Sequence, residues 1–263
     1  GENMAKVIAI INQKGGVGKT TTAVNLSALL GAMGQRVLMI DLDPQGNTTS
    51  GLGMEVDDKS IYEVIMGRMK LTDVMEETEF KNLSIAGSDV RLANAELELV
   101  EVEKREYRLK TAVQSVQQDF DFIFIDCPPS LGLLTINALG AADSVLIPIQ
   151  CEYYALEGVA SLMNTISRVK KTINPHLEIE GVLLTMLDGR TNLGLQVVDE
   201  VKKHFKKQVY ATVIPRSVRL GEAPSHGEPI HVYDKRSAGC VAYVNLAKEV
   251  LKRNNIKVKE FKL

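Results

Sequence analysis

A strand that feeds a glycine loop and then a helix constrains this chain more than any other feature. The apolar run Val7-Ile8-Ala9-Ile10-Ile11 leads, after two residues, into Lys14-Gly15-Gly16-Val17-Gly18-Lys19-Thr20-Thr21. Glycines let the backbone curl so that successive N–H groups point inward at phosphate oxygens, and the helix opening at Lys19 adds its positive dipole end. Such a cradle takes a nucleoside triphosphate. The amides of Gly15, Gly16, Val17 and Gly18 would face the phosphates, with the Lys19 amine on the β and γ groups. Thr20 would hold Mg²⁺ through its hydroxyl, and Thr21 would donate to the α-phosphate. The usual loop begins with a glycine five residues before Gly18; Gln13 stands there instead, and Lys14 opens the loop.

Two further segments carry carboxylates at the ends of apolar runs. Val37-Leu38-Met39-Ile40 stops at Asp41, with Asp43 two residues on, and Phe122-Ile123-Phe124-Ile125 stops at Asp126. Parallel sheets deliver metal-binding groups to their carboxyl edge in this way. Along the chain, apolar runs predict strands at 6–11, 36–41, 82–86, 122–126, 144–149, 179–185 and 209–214. Helices are predicted at 19–33, 60–66, 71–76, 89–118 with a break, 133–140, 156–173, 193–206 and 238–253. The alternation implies a single α/β domain, a doubly wound and mainly parallel sheet with helices on both faces. Ala23, Leu26, Leu29, Leu30 and Met33 form a stripe on the first helix. The polar stretch 45–49 suits a loop that responds to the γ-phosphate.

With 263 residues, 45% of them hydrophobic and 24% charged, the chain can bury one sizeable core. No apolar run approaches the ~18 residues of a membrane span. Gly1-Glu2-Asn3 ahead of Met4 reads as a production remnant, with no export signal after it. The expected location is cytoplasmic. Cys127, Cys151 and Cys240 lack metal-ligand spacing and read as small buried residues in a reducing compartment. Net charge is −2 overall, yet Arg190 to Leu263 carries +8 and the remainder −10. That asymmetry hints at a polyanion partner. Lys202, Lys203, Lys206 and Lys207 also fit a simple solvated helix face.

Lysines at both ends of the glycine loop, together with the Asp41 and Asp126 segments, make the chain resemble the ParA/Soj family of partitioning ATPases. These belong to the deviant Walker A group of P-loop proteins. The resemblance extends to Pro224-Ser225-His226-Gly227 and Tyr233-Asp234. It implies an ATPase domain over 4–254, after the 1–3 remnant and before a 255–263 tail, and ATP and Mg²⁺ as cofactors. It implies an ATP-dependent homodimer in which Lys14 crosses to the partner's phosphates. Lys19 and Asp43 join Lys14 as catalytic residues, Asp43 orienting the attacking water. Asp126 would hold Mg²⁺ through a water beside Thr20, with Asp41 close to the metal; the motif alone does not divide labour between Asp41 and Asp43. Pro215 and Ser217 would contact adenine. Arg190 and Arg219 would grip non-specific double-stranded DNA by its backbone, placing the protein on the nucleoid. A ParB-type centromere-binding partner would stimulate otherwise slow hydrolysis. The alternative within the group is a MinD-like division-positioning ATPase on the membrane. That needs an amphipathic C-terminal helix, and Ile256, Val258, Phe261 and Leu263 share no helical face, so no membrane partner is expected.

Overall fold

In the computed structural model, which describes residues 3–12, 17–152 and 155–263, eight strands form one sheet. They are β1 (Lys6–Ile10), β2 (Val37–Asp41), β3 (Met75–Glu77), β4 (Leu83–Ala86), β5 (Phe122–Asp126), β6 (Ser144–Gln150), β7 (Glu178–Leu187) and β8 (Val209–Pro215). Their order is β3-β4-β2-β5-β1-β6-β7-β8, all parallel except β3 against β4. The helices are α1 (Val17–Ala32), α2 (Asn47–Gly51), α3 (Ile61–Ile65), α4 (Leu71–Val74), α5 (Ala95–Glu98) and α6 (Arg108–Gln114). Then follow α7 (Leu133–Ala141), α8 (Ala155–Thr172), α9 (Asn192–Phe205), α10 (Val218–Glu222), α11 (Ile230–Tyr233) and α12 (Ala238–Arg253).

The central strands read as unbroken apolar runs because both sheet faces are covered. Every residue of β2 and β5 is buried. One core cluster lies on the face packed by α7, α8 and α9, the other on the face packed by α1 and α12. Among the described residues, α1 departs from its expected one-sided stripe. Ala23, Leu26, Leu29 and Leu30 are fully enclosed, but so are Thr22, Asn25 and Ser27. The helix is wedged between the sheet and α12, so its polar groups must bond internally. Ser27 Oγ donates to the Ala23 carbonyl at 2.7 Å, and Asn25 Oδ1 accepts from the Ile230 amide at 2.8 Å.

Three differences from the sequence reading have physical causes. The 89–118 stretch, expected as a helix with a break, is interrupted more than once into short helical pieces, with Lys104 at φ +54° between them, a conformation that a continuing helix excludes. The helix foreseen at 71–76 ends at Val74, because Met75 pairs with Ala86 and starts the edge strand β3. Four short helical segments, α2, α10, α11 and the 3-10 turn Ala223–His226, went unforeseen; pieces this short form through tertiary contacts rather than propensity.

At the other sheet edge, α12 covers β8. Glu249 accepts from the Ala211 and Thr212 amides at 2.8 and 2.9 Å and from Thr212 Oγ1 at 2.8 Å, occupying donors that an added strand would seek. Arg253 donates to the carbonyls of Gln208 and Val209 at 3.1 and 2.9 Å. Beyond Arg253 the chain is not helical, and Ile256, Val258 and Phe261 pack onto the second core cluster. Glu249→Ala is expected to lower stability by about 1–2 kcal/mol, given the charge-assisted bonds it removes and their partial exposure. It should also promote concentration-dependent self-association; urea melts and light scattering check this, and an unchanged midpoint would show the edge to be indifferent to Glu249.

Candidate nucleotide site

Parallel register brings the two strand-end acids together. Asp41 pairs with Asp126 across β2 and β5, and Asp126 pairs with Ile10 across β5 and β1, the strand that leads into the glycine loop. Both carboxylates are completely buried. Their charge is answered from α1: the amine of Lys19, a residue only 2% exposed, bonds directly to Asp126 Oδ1 and lies 3.7 Å from Asp43 Oδ2. Burial alone would lower the lysine's pKa, but the attraction of Asp126, reinforced by Asp43 and Asp41, outweighs it and holds the amine above its ordinary value. Lys19 is therefore a fixed cation at neutral pH.

The second oxygen of Asp126 accepts from Thr48 Oγ1 at 2.5 Å. Asp41 is held by the next residue of the same helix, with the Thr49 hydroxyl at 2.6 Å and the Thr49 amide at 2.9 Å on Oδ2. Its other oxygen accepts from the Asp43 amide at 3.1 Å. Burial first, and then the neighbouring Asp126 charge, push the Asp41 carboxyl up to about 7 despite these donors. Asp43 is nearly enclosed; its Oδ1 caps the Gln45 amide at 3.0 Å. Ser88, just after β4, ties the layer together by donating its hydroxyl to the Asp43 carbonyl at 2.6 Å and its amide to Thr49 Oγ1 at 3.1 Å.

Next to this charged layer lies a cleft of roughly 430 Å³, lined by Thr20 and Thr21 of α1, Asn47 and Ser50 of α2, and Gly221, Pro224 and Ser225. Hydroxyls, an amide and the first turn of a long helix surround it, a donor-rich setting that suits an anion. Gly18 sits where a Cβ would come 3.2 Å from Thr185 Oγ1, so the helix start packs tightly against the end of β7. Among the described residues, no three His, Cys, Asp or Glu side chains converge as a self-sufficient metal cage. Mg²⁺ that arrives with phosphates needs only one or two carboxylates and a hydroxyl, so Asp126, Asp41 and Thr20 are a fitting donor set.

Of the residues singled out in the sequence, Gly18, Lys19, Thr20, Thr21, Asp41, Asp43 and Asp126 come together here. Lys14, Gly15 and Gly16 lie outside the described residues, as does the Val17 side chain. Pro215 ends β8 and lines a separate open groove with Leu187, Gly189 and Val241, while Ser217 precedes α10. Arg190 and Arg219 are exposed, but neither is unpaired. Arg190 bonds Asp188 through Nε and Nη2, both at 3.0 Å, and Arg219 lies 3.3 Å from both Glu222 and Asp234. Thr48 and Thr49, within the polar 45–49 stretch expected to respond to the γ-phosphate, were not singled out as site residues, and Ser88, 45 residues beyond Asp43, gave no sequence signal at all.

Residues 5–179 match the family model described as AAA domain. The sporulation initiation inhibitor protein Soj of Bacillus subtilis is 59% identical over 94% of this chain and 98% of its own length. The chromosome partitioning protein ParA of Myxococcus xanthus is 51% identical, over 97% and 90%. A crystal structure of cobyrinic acid a,c-diamide synthase from Mycobacterium smegmatis, with bound ATP analogue and magnesium, superposes with a TM-score of 0.83 at 37% identity, covering 98% and 100% of the two chains. Strand-end acids in register, a buried lysine at the start of α1 and identity at this level over nearly the full length place the chain in the Soj/ParA family of partitioning proteins.

Proposed function

We propose that this chain is a partitioning ATPase that binds ATP with Mg²⁺, dimerises around it, holds DNA non-specifically in that state and releases it on hydrolysis. The carrying observation is the buried Lys19–Asp126 pair beside a hydroxyl-lined cleft. It is a preorganised arrangement in which each partner already has the charge its nucleotide-bound role requires. Phosphate oxygens entering the cleft give the Lys19 amine another anion, and Asp126 is then available to the cation that accompanies them. One internal ion pair is exchanged for two, which limits the desolvation cost of the exchange. Mg²⁺, held by Asp126, Asp41 and Thr20, would supply neutralisation of phosphate charge.

The chain's own residues divide the remaining work. Thr20 stands at the start of α1 to meet the cation, and Thr21 meets the inner phosphate. Asp43 keeps Oδ2 toward the Lys19 amine while Oδ1 is fixed by the Gln45 amide, so its carboxylate is oriented in advance to hold an attacking water. Lys14 is assigned the trans role, reaching the partner's phosphates as an arginine finger does elsewhere. Pro215 and Ser217 are assigned to the base. Hydrolysis without a stimulating ParB-type partner is proposed to be slow.

Arg190 and Arg219 are assigned to DNA. Contacts to phosphates carry no sequence information and weaken steeply with salt. Each subunit offers few such contacts, and pairing two subunits on one duplex multiplies affinity by ~10²–10⁴. ATP thereby controls attachment. The non-helical, inward-packed tail supports this over the membrane reading, since Ile256, Val258 and Phe261 are engaged in the core.

Lys14→Gln is expected to bind ATP but lose the ATP-dependent dimer in sedimentation velocity, and persistence of that dimer would remove the trans role. Arg219→Glu should abolish the ATP-dependent component of binding to random-sequence duplex while keeping ATPase activity. Mobility shifts over a salt series test this, and unaltered binding would move the DNA surface to the lysines at 202–207.

A further inference from the structure

Two glycines in left-handed backbone touch across the gap between α2 and the segment that carries Arg219. Gly53, with φ +72°, lies just beyond α2, and Gly227, with φ +64°, closes the turn Ala223–His226. A Cβ on Gly53 would stand 3.0 Å from the Gly227 carbonyl oxygen, and one on Gly227 would stand 2.9 Å from the Gly53 Cα. The contact is backbone on backbone and leaves no room for a side chain. Any movement of the end of α2 along this contact must therefore move residue 227 as well.

At its start, α2 is fastened to the metal-edge carboxylates by Thr48 on Asp126 and Thr49 on Asp41. Beyond Gly227 the chain runs into Tyr233 and Asp234, and before it lies Glu222. Together these three surround Arg219. Tyr233 Oη donates to Glu222 Oε2 at 2.7 Å, the carboxylates of Glu222 and Asp234 each lie 3.3 Å from the arginine, and the His226 ring stacks on Tyr233 at 5.0 Å. The cation assigned to DNA is thus held by two acids of its own segment.

We infer that α2 is a lever between the two sites. Thr48 senses whether Asp126 is engaged elsewhere, and the Gly53–Gly227 contact passes the resulting displacement to the cluster of Glu222, Tyr233 and Asp234 that retains Arg219. Engagement of Asp126 by the nucleotide's cation takes its second oxygen from Thr48, α2 shifts, and the cluster loosens its hold on the arginine. This adds to dimer avidity a control acting inside each subunit, and it rests on the DNA-holding function proposed above. Glu222 and Asp234 are positioning residues in this scheme, acting on DNA only through Arg219.

The test uses the full chain and hydrogen exchange of residues 218–234, with and without ATP·Mg²⁺, alongside anisotropy of a random-sequence duplex. In the unaltered chain, ATP·Mg²⁺ should raise exchange in this segment. In Gly53→Asn, a residue that tolerates left-handed backbone but still carries the intruding Cβ, that response should vanish, with nucleotide affinity kept within about twofold and the nucleotide effect on DNA affinity cut by about fivefold or more. Thr48→Val, close in shape but lacking the hydroxyl, should show raised exchange before any nucleotide is added. Glu222→Gln should raise DNA affinity of the nucleotide-free chain by about two- to fivefold, the scale of an exposed ion pair. If ATP·Mg²⁺ leaves exchange at 218–234 unaltered in the parent chain, or changes it equally in Gly53→Asn, the lever is refuted. If exchange behaves as described but no variant binds DNA with ATP, the DNA assignment falls and the lever stands.

Discussion

One buried ion pair organises this molecule. Lys19 and Asp126 are both removed from water, and neither could sit there charged without the other. Isolated, each would cost several kcal/mol of lost hydration, and removing one partner from such a pair typically destabilises by about 3–5 kcal/mol. The rest of the site is arranged around that constraint. The parallel register sets Asp41 beside Asp126, Asp43 adds a second acid within 3.7 Å of the amine, and the hydroxyls of Thr48 and Thr49 each donate to one oxygen, of Asp126 and Asp41 respectively. A site already holding three acids and one amine is tuned for a ligand that brings both polyanion and divalent cation.

That arrangement also explains why the sheet is ordered as it is. With β1 between β5 and β6, and β5 between β1 and β2, the carboxyl end of β1 and both acidic strand ends share one edge. α1 must then pass over the sheet centre, beneath α12, and this accounts for its burial on nearly every side. Its internal polar groups are handled locally: Thr22 Oγ1 bonds back to the Gly18 carbonyl at 2.8 Å and meets the Tyr243 hydroxyl at 3.0 Å. The same fold serves proteins of other activities, so the fold itself does not assign the function. Here the assignment rests on the named site residues together with identity to Soj and ParA.

Much of this was legible in the sequence because the signals were strong and local. Phe122-Ile123-Phe124-Ile125-Asp126 is too apolar for a surface strand and too short for a helix, and its terminal acid announced the edge on which chemistry would lie. Lys19 was placed by the glycines before it. What stayed hidden depended on contacts distant in sequence. Thr48 and Thr49 look like loop residues, since a five-residue helix has no periodicity to read, and their meaning comes only from Asp126 and Asp41 on neighbouring strands. Glu222 at three residues from Arg219 could be read as a helical pair, but Asp234 and the Gly53–Gly227 contact are brought in by tertiary packing alone. Nothing in the sequence pairs Glu249 with β8; the Ala211 and Thr212 amides that it binds are brought beside α12 by the fold.

The exchange of the internal ion pair for phosphate and cation is the central claim, and a crystal structure of this chain with ATP and Mg²⁺ addresses it most directly. The expected result is the Lys19 Nζ withdrawn from Asp126 onto phosphate oxygens, with Asp126 turned to the cation's shell and Thr48 released. A bound nucleotide with Lys19 still joined to Asp126 and Thr48 still donating to it would show that no such exchange takes place.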